Sequence, residues 1–290
     1  MNRTIKNILM ILTTIIVIIG ALTIGLSLFA VNNQVEETIV DPKPMDEVSY
    51  EQYTIDLFMI GSVDNVNIDT LKPICHSFDI SLYGSERFDS HIISDIGFNM
   101  VSIADGNKND INKYADSGVM YPNNIGDNTD SYYINDIILS LLQFDDDHED
   151  EMIEDIKYAV SISDVVIVCY HDRLDHDMAK ILADNGADII IGMDDDMAPI
   201  EWIDDTLVYY SLGEIEDDGV DMMASVKINK TISDGVANIE ISQPRADLLY
   251  TDHDILYTFD ELGEEYNDIY QKRVGVINQL DDSIVVGYIK

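Results

Sequence analysis

Apolar residues along this chain change period repeatedly, and each period predicts an element. Tyr53–Gly61 (YTIDLFMIG) alternates and then becomes continuously apolar, the pattern of a strand that enters a core. Phe78–Leu82 predicts a short strand. Phe88–Ile96 predicts a helix leading into a strand over Gly97–Ala104. Tyr132–Ile134 and Ile137–Phe144 flank Asn135-Asp136, a two-residue hairpin turn. Met152, Ile153, Ile156, Ala159 and Val160 recur at helical spacing after the acidic run Asp145–Glu151, which suits the first turn of a helix. Asp164–Tyr170 (DVVIVCY) reads as a strand covered on both faces, and Asp175–Asn185 as a helix burying Met178, Ile181 and Leu182. Ile189–Ile191 and Leu207–Tyr210 are two further buried strands joined by a short connection. Met222–Lys230 and Ala237–Gln243 alternate as antiparallel strands, and Asp247–Thr258 holds room for one more. A helix over Glu264–Asn278 and an apolar stretch at Ser283–Tyr288 follow.

Strand, helix and strand joined by short links predict parallel neighbours with right-handed crossovers. The fold class is therefore α/β, and ligands in such sheets lie beyond the carboxyl ends of the strands. Ser62, Asp105, Asn107, His171, Asp194 and Asp196 all fall at predicted strand ends of that kind.

The first residues alter the setting. Arg3 and Lys6 precede a run from Ile8 to Val31 without a single charge, long enough for a hydrocarbon core of ~30 Å. Glu36 and Glu37 follow it, so the bias of positive charge keeps the N-terminus cytoplasmic. Residues 1–31 thus read as a cytoplasmic tip and a single-pass transmembrane signal anchor in the cell membrane. Gly25-Leu26-Ser27 leaves a cleaved signal as the alternative. Residues 32–51, acidic and containing Pro42 and Pro44, read as a spacer, and residues 52–290 as one extracellular domain.

Charge narrows the partners. Asp and Glu number 56 against 16 Lys and Arg, a formal net charge of −40, and phosphate backbones require the opposite field. Nucleic acid is excluded as a partner. Cys75 and Cys169 make neither a disulfide framework nor a zinc spacing, and Cys169 sits inside an apolar strand as a buried thiol.

One stretch carries a family resemblance. Gly186–Gly213 keeps Gly186, Ala187, Asp188, Gly192, Pro199, Glu201, Trp202, Tyr210, Ser211, Leu212 and Gly213. It resembles the CapA/PgsA family of capsule and poly-γ-glutamate synthesis proteins, whose pattern is roughly GADxIIGxHPHVxQPxEW followed by LVxYSLGNF. Gly97–Ala104 is similar to the same family's GFNxVSxA strand. The resemblance implies a calcineurin-like metallophosphoesterase fold, a layered α/β/β/α sandwich whose strand-end histidines and carboxylates hold divalent metals that activate water. At those positions this sequence departs. Ser62 stands for an aspartate, Asn107 for the histidine of NNH, and Asp194 and Asp196 for the two histidines of HPH. His171 matches the one family histidine that is kept, and Glu214 stands where the family has Asn.

Exchanging imidazole for carboxylate replaces a borderline nitrogen ligand by hard oxygen, and a serine hydroxyl does not bridge two cations as a carboxylate does. Two readings follow. One is a membrane-anchored extracellular CapA-like protein, a non-catalytic binding or scaffold component of capsule or other envelope-polymer biosynthesis. The other is a divergent metal-dependent phosphoesterase-like hydrolase, with Asp194, Asp196, Asp105 and His171 taking Ca²⁺, Mg²⁺ or Mn²⁺ through oxygen-rich ligation. An acidic turn on a chain acidic throughout competes with the second reading. No GxSxG elbow, P-loop or HExxH is present to suggest another chemistry.

Overall fold

Period-two alternation along β1 (Tyr50–Ile60) sends Ile55, Leu57 and Met59 into one core and Phe58 and Ile60 into another, so this strand is buried on both faces. The computed structural model describes residues 50–63, 68–84, 90–102, 114, 116–122, 124, 131–145, 149–194, 196–215, 218–252, 255–259, 261–281 and 283–287. After β1 come the two-residue β2 (Ser62–Val63), a 3-10 turn (Ile68–Leu71) and the short α1 (Lys72–Cys75). Then follow β3 (Ile80–Gly84), α2 (Ser90–Ile96), β4 (Met100–Ser102), β5 (Tyr132–Ile134) and β6 (Ile137–Phe144). The next stretch alternates as α3 (Glu149–Ile162), β7 (Val165–Tyr170), α4 (His176–Asp184) and β8 (Ile189–Gly192). β9 (Ile200–Ile203), β10 (Thr206–Tyr209) and β11 (Glu214–Ile215) lead to the long pair β12 (Asp218–Ser233) and β13 (Val236–Asp252). Last are β14 (Ile255–Thr258), a 3-10 turn at Glu264–Tyr266, α5 (Asn267–Ile277) and β15 (Val285–Gly287).

These strands form two large sheets. One has the order β14-β13-β12-β1-β3-β4 with β15 on β13, and the other the order β5-β6-β7-β8-β10-β9. Parallel pairing of β1, β3 and β4, and of β6, β7, β8 and β10, points their carboxyl ends in common directions within each sheet. The sheets pack face to face. Leu57, Met59, Leu82 and Met100 from the first share a core with Leu139, Ile167, Cys169, Ile191 and Leu207 from the second. On the far side of the first sheet, Phe58, Tyr83 and Val101 pack against Leu71, Cys75, Ile93 and Ile96 of the helical segments. On the far side of the second, Leu142, Val168, Ile190 and Val208 pack against Met152, Ile156, Ala179 and Leu182. The result is an α/β fold in four layers, helix, sheet, sheet and helix. Each fully buried aliphatic side chain in these cores contributes roughly 1.5–3 kcal/mol.

Local chemistry sets the ends of these elements. Asp175 accepts a hydrogen bond from the Met178 amide and caps α4. Asn135 and Asp136 both have positive φ, 49° and 60°, as a two-residue hairpin turn requires. Asp234 and Gly235, at 53° and 77°, turn β12 into β13 the same way.

Several elements differ from the sequence expectation. The strand expected at Phe78–Leu82 lies at Ile80–Gly84, because Ser77 and Phe78 still hydrogen-bond back into the turn after α1. The connection between the two buried strands of the GADIIIG stretch contains a strand of its own, β9, paired antiparallel with β10 through the Asp204-Asp205 turn. Only its end residues Ile200 and Ile203 are buried, which is why apolar pattern alone passed over it. Asp247–Asp252 belongs to β13, and the further strand expected there is confined to Ile255–Thr258. Contacts divide the chain into residues 1–48 and 49–290. The run at 8–31 expected to be an anchor lies outside the described residues, among which no helix is long and apolar enough to cross a membrane.

Candidate functional site

Three glycines explain how the strand ends come together. A Cβ on Gly61, just after β1, would stand 1.9 Å from the carbonyl oxygen of Gly213. A Cβ on Gly192, at the end of β8, would stand 1.9 Å from the carbonyl oxygen of Tyr210. A Cβ on Gly84, at the end of β3, would stand 2.4 Å from Met193 Sδ. At Gly61 and Gly192 the neighbour is backbone and only hydrogen fits, so the backbone beyond β10 is pressed against the ends of β1 and β8, whereas at Gly84 the neighbour is the movable Met193 side chain. Ser211 locks the same turn, its hydroxyl donating to the Asp194 carbonyl at 2.5 Å and accepting from the Gly213 amide at 3.0 Å. Beyond it, β11 pairs parallel with β2, placing Glu214 beside Ser62. The Gly192, Tyr210, Ser211 and Gly213 of the sequence pattern are thus committed to holding strand ends in contact.

The one imidazole at these ends is held from below. His171, directly after β7, has Nε2 2.7 Å from Ser102 Oγ at the end of β4, and Ser102 lies 3.0 Å from Gln143 Oε1 on β6. The single Ser102 proton is shared among an amide oxygen, an imidazole nitrogen and the Cys169 sulfur, and the direction of its contact with His171 follows the imidazole tautomer. The neighbouring Cys169 thiol is fully buried; desolvation pushes it up to about 12, against a smaller opposing effect of its hydrogen bond with Ser102. It is inert at physiological pH. A serine with no exposed surface between a cysteine, a histidine and an amide joins the two sheets across their interface.

Of the other expected residues, Ser62, Asp194 and Asp196 are described. Ser62 is half-buried and takes part in the β2 ladder, and its neutral hydroxyl offers no charge to a cation. Asp194 is half-buried with its backbone fixed by Ser211, whereas Asp196 is exposed. Asp105 and Asn107 lie outside the described residues. Among the described residues no group of three or more His, Cys, Asp or Glu side chains is arranged to hold a metal ion. Among the described residues these donors do not make up a two-metal centre.

A polar cluster on the helical side of the second sheet joins two residues of the sequence pattern, Glu201 and Tyr210, to His176, which the sequence did not mark. Tyr210 donates a short hydrogen bond to Glu201 Oε1, and His176 Nδ1 lies 3.0 Å from both the same carboxylate oxygen and the Tyr210 hydroxyl. Burial, followed by the Glu201 contact, pushes the Tyr210 hydroxyl far above its ordinary value, so it stays a donor. Glu201 and Tyr210 are nine residues apart and His176 a further 25 before Glu201; only the antiparallel β9–β10 pair and the start of α4 bring them together. Gln143 belongs to no recognisable motif, and Ser102, although it stands in the GFNxVSxA strand, is not linked by that pattern to His171 or Gln143.

No family model matches this chain, and no curated protein matches it. Among solved structures it is similar to vacuolar protein sorting 29 from Cryptosporidium parvum, at 12% identity over 66% of this chain and 97% of that one, with a TM-score of 0.32.

Proposed function

We propose that this is a membrane-anchored, extracellular CapA-like protein of calcineurin-like fold. It serves capsule, poly-γ-glutamate or other envelope-polymer assembly as a non-catalytic binding or scaffold component. The observation that carries the reading is Ser62, whose neutral hydroxyl stands in the β2 ladder beside Glu214 where the resemblance implies a metal-bridging carboxylate. The Ser102–His171–Gln143 chain ties the one retained family histidine to the fold through Nε2. The pattern residues around it support the same view. Gly192, Ser211 and Gly213 hold backbone against backbone, so they are kept for packing whether or not any reaction takes place. Ser62 in place of a carboxylate removes the charge that a metal pair would need.

The test is turnover. The full-length chain, given bis-p-nitrophenyl phosphate with Mn²⁺, Mg²⁺ or Ca²⁺, is expected to release no more nitrophenol than buffer does. Calorimetry with the same cations is expected to give the same weak heats for the wild type and for the Asp194→Asn/Asp196→Asn variant. Phosphoester cleavage that disappears in His171→Ala overturns the non-catalytic reading and favours the divergent hydrolase instead.

A further inference from the structure

A separate cavity of about 490 Å³ opens beside α5, and it shares no lining residue with the strand ends. Phe259, Tyr266 and Tyr270 supply its aromatic wall, with Leu262, Glu264 and Asn267 around them. The size falls within the range of small-molecule sites. The rings come from three places, the turn after β14, the 3-10 turn and α5, and Tyr250 of β13 packs among them.

The angles between the rings narrow the ligand. Tyr250 meets Tyr266 at 4.9 Å and 64°, and meets Phe259 at 6.4 Å and 72°. Phe259 meets Tyr270 at 5.0 Å and 53°. Of the lining rings, Phe259 and Tyr270 are tilted to each other, and Tyr266 stands edge to face with the neighbouring Tyr250, so the wall is not one flat stacked pair. A planar sugar face or base would call for one flat exposed platform instead. An aromatic wall with tilted rings around one space suits a compact, weakly hydrated cation. The polar groups agree. Glu264 lines the cavity, the Glu265 carboxylate folds back over Gly263, and among the described residues no Lys, Arg or His lines the space. Arg245 feels the Tyr270 hydroxyl but is forked onto Asp247 through Nε and Nη2 and does not line the cavity. Phe259, Leu262, Tyr266 and Tyr270 are only half-buried, so the rings remain reachable.

We infer that this cavity is a binding site for a methylated ammonium group, held by the faces of Phe259, Tyr266 and Tyr270 with Glu264 as counter-charge. No bond is made or broken; the site recognises a charge spread over methyl groups, for which ring faces replace water at little cost. The inference stands apart from the envelope-polymer reading, and either can fail without the other.

Ligand-observed NMR on the full-length chain tests it, with tetramethylammonium and choline as probes and 3,3-dimethylbutan-1-ol as the neutral molecule of the same shape as choline. The expected result is saturation transfer to both cations, with the neutral molecule at least tenfold weaker. Tyr266→Ala should weaken choline about tenfold or more, and Glu264→Gln several-fold. Since Glu264 is exposed, its variant keeps the test decisive should the ring variant fail to fold. Equal binding of choline and its neutral counterpart, no transfer to any probe, or choline binding unchanged in Glu264→Gln and in a folded Tyr266→Ala would each overturn the inference.

Discussion

Asp188 is the residue of the GADIIIG stretch whose chemistry the fold changes most. Its carboxylate accepts from the Val166 amide at 2.8 Å and so caps the start of β7, yet burial pushes its carboxyl up to about 6 from an ordinary 3.8. Such a difference is worth on the order of 3 kcal/mol at most. Because the folded state holds this proton more tightly, the stability linked to Asp188 is fully present below about pH 4 and is lost as pH rises through about 6. Asn at this position keeps an acceptor for Val166 and never ionises. Asp188→Asn should therefore gain on the wild type between pH 4 and pH 7.5, by up to about 2 kcal/mol, in urea midpoints measured at both pH values. Taking the difference cancels the titration of the chain's many other acids. An identical difference at the two pH values would refute a buried, reluctantly ionised carboxylate. At this scale the sequence was legible in part. Gly192 and Ser211 could be marked from pattern, but the reasons they are needed are the Tyr210 carbonyl oxygen, which a Cβ on Gly192 would meet at 1.9 Å, and a hydroxyl bonded across the turn, which no one-dimensional spacing displays. Ser102 was legible as part of the GFNxVSxA strand, but its contacts with His171 and Gln143 across the sheets were not.

Lys230 shows how elements are joined where the cores end. It sits on β12 of the first sheet, and its ammonium reaches Asp164 Oδ2 at 2.6 Å and the Asp136 carbonyl at 3.0 Å, both belonging to the second sheet's end. The side chains are 11% and 20% exposed, so this pair is screened far less than a surface one. Asp164 also accepts from the Ile138 amide at 2.8 Å, so one carboxylate fixes the hairpin strand β6 and receives the clamp from β12. Lys230→Ala leaves that carboxylate without its cation and should cost about 2–3 kcal/mol in urea unfolding. Asp164→Asn added to Lys230→Ala should then cost less than the sum of the two single changes, and strict additivity would show that the pair is not coupled. Elements with strong periodicity, such as Val165–Tyr170 and the helix after Asp175, were legible in the sequence because burial on known faces dictates their composition. β9 was not, because an edge strand buries only its ends. The length of β12 and β13 was not, because their outer halves turn polar where no second sheet covers them.

At the scale of the whole molecule, three buried cores and an excess of 40 negative charges oppose each other. The layered packing is legible from apolar runs because each strand needs two covered faces, and the helices between strands supply the outer cover. The charge has no local partner of equal size. Pairs such as Lys180–Asp184, 2.8 Å apart and half-exposed on α4, contribute tenths of a kcal/mol, and salt weakens them. Repulsion among the unpaired carboxylates acts over longer distances, reaching about 30 Å at 10 mM salt and about 8 Å at 150 mM. These two effects give opposite signs, and the numbers, 56 acids against 16 bases, decide for repulsion. Raising NaCl from 10 to 300 mM should therefore raise the urea midpoint of the full-length chain, most steeply below about 100 mM, where the screening length falls fastest. Urea carries no charge of its own, so the slope reports the protein's electrostatics alone. A midpoint that fell with salt would mean that attractive pairs such as Lys230–Asp164 outweigh the net charge, and would move the electrostatic account from the whole molecule back to the few clamps between its sheets.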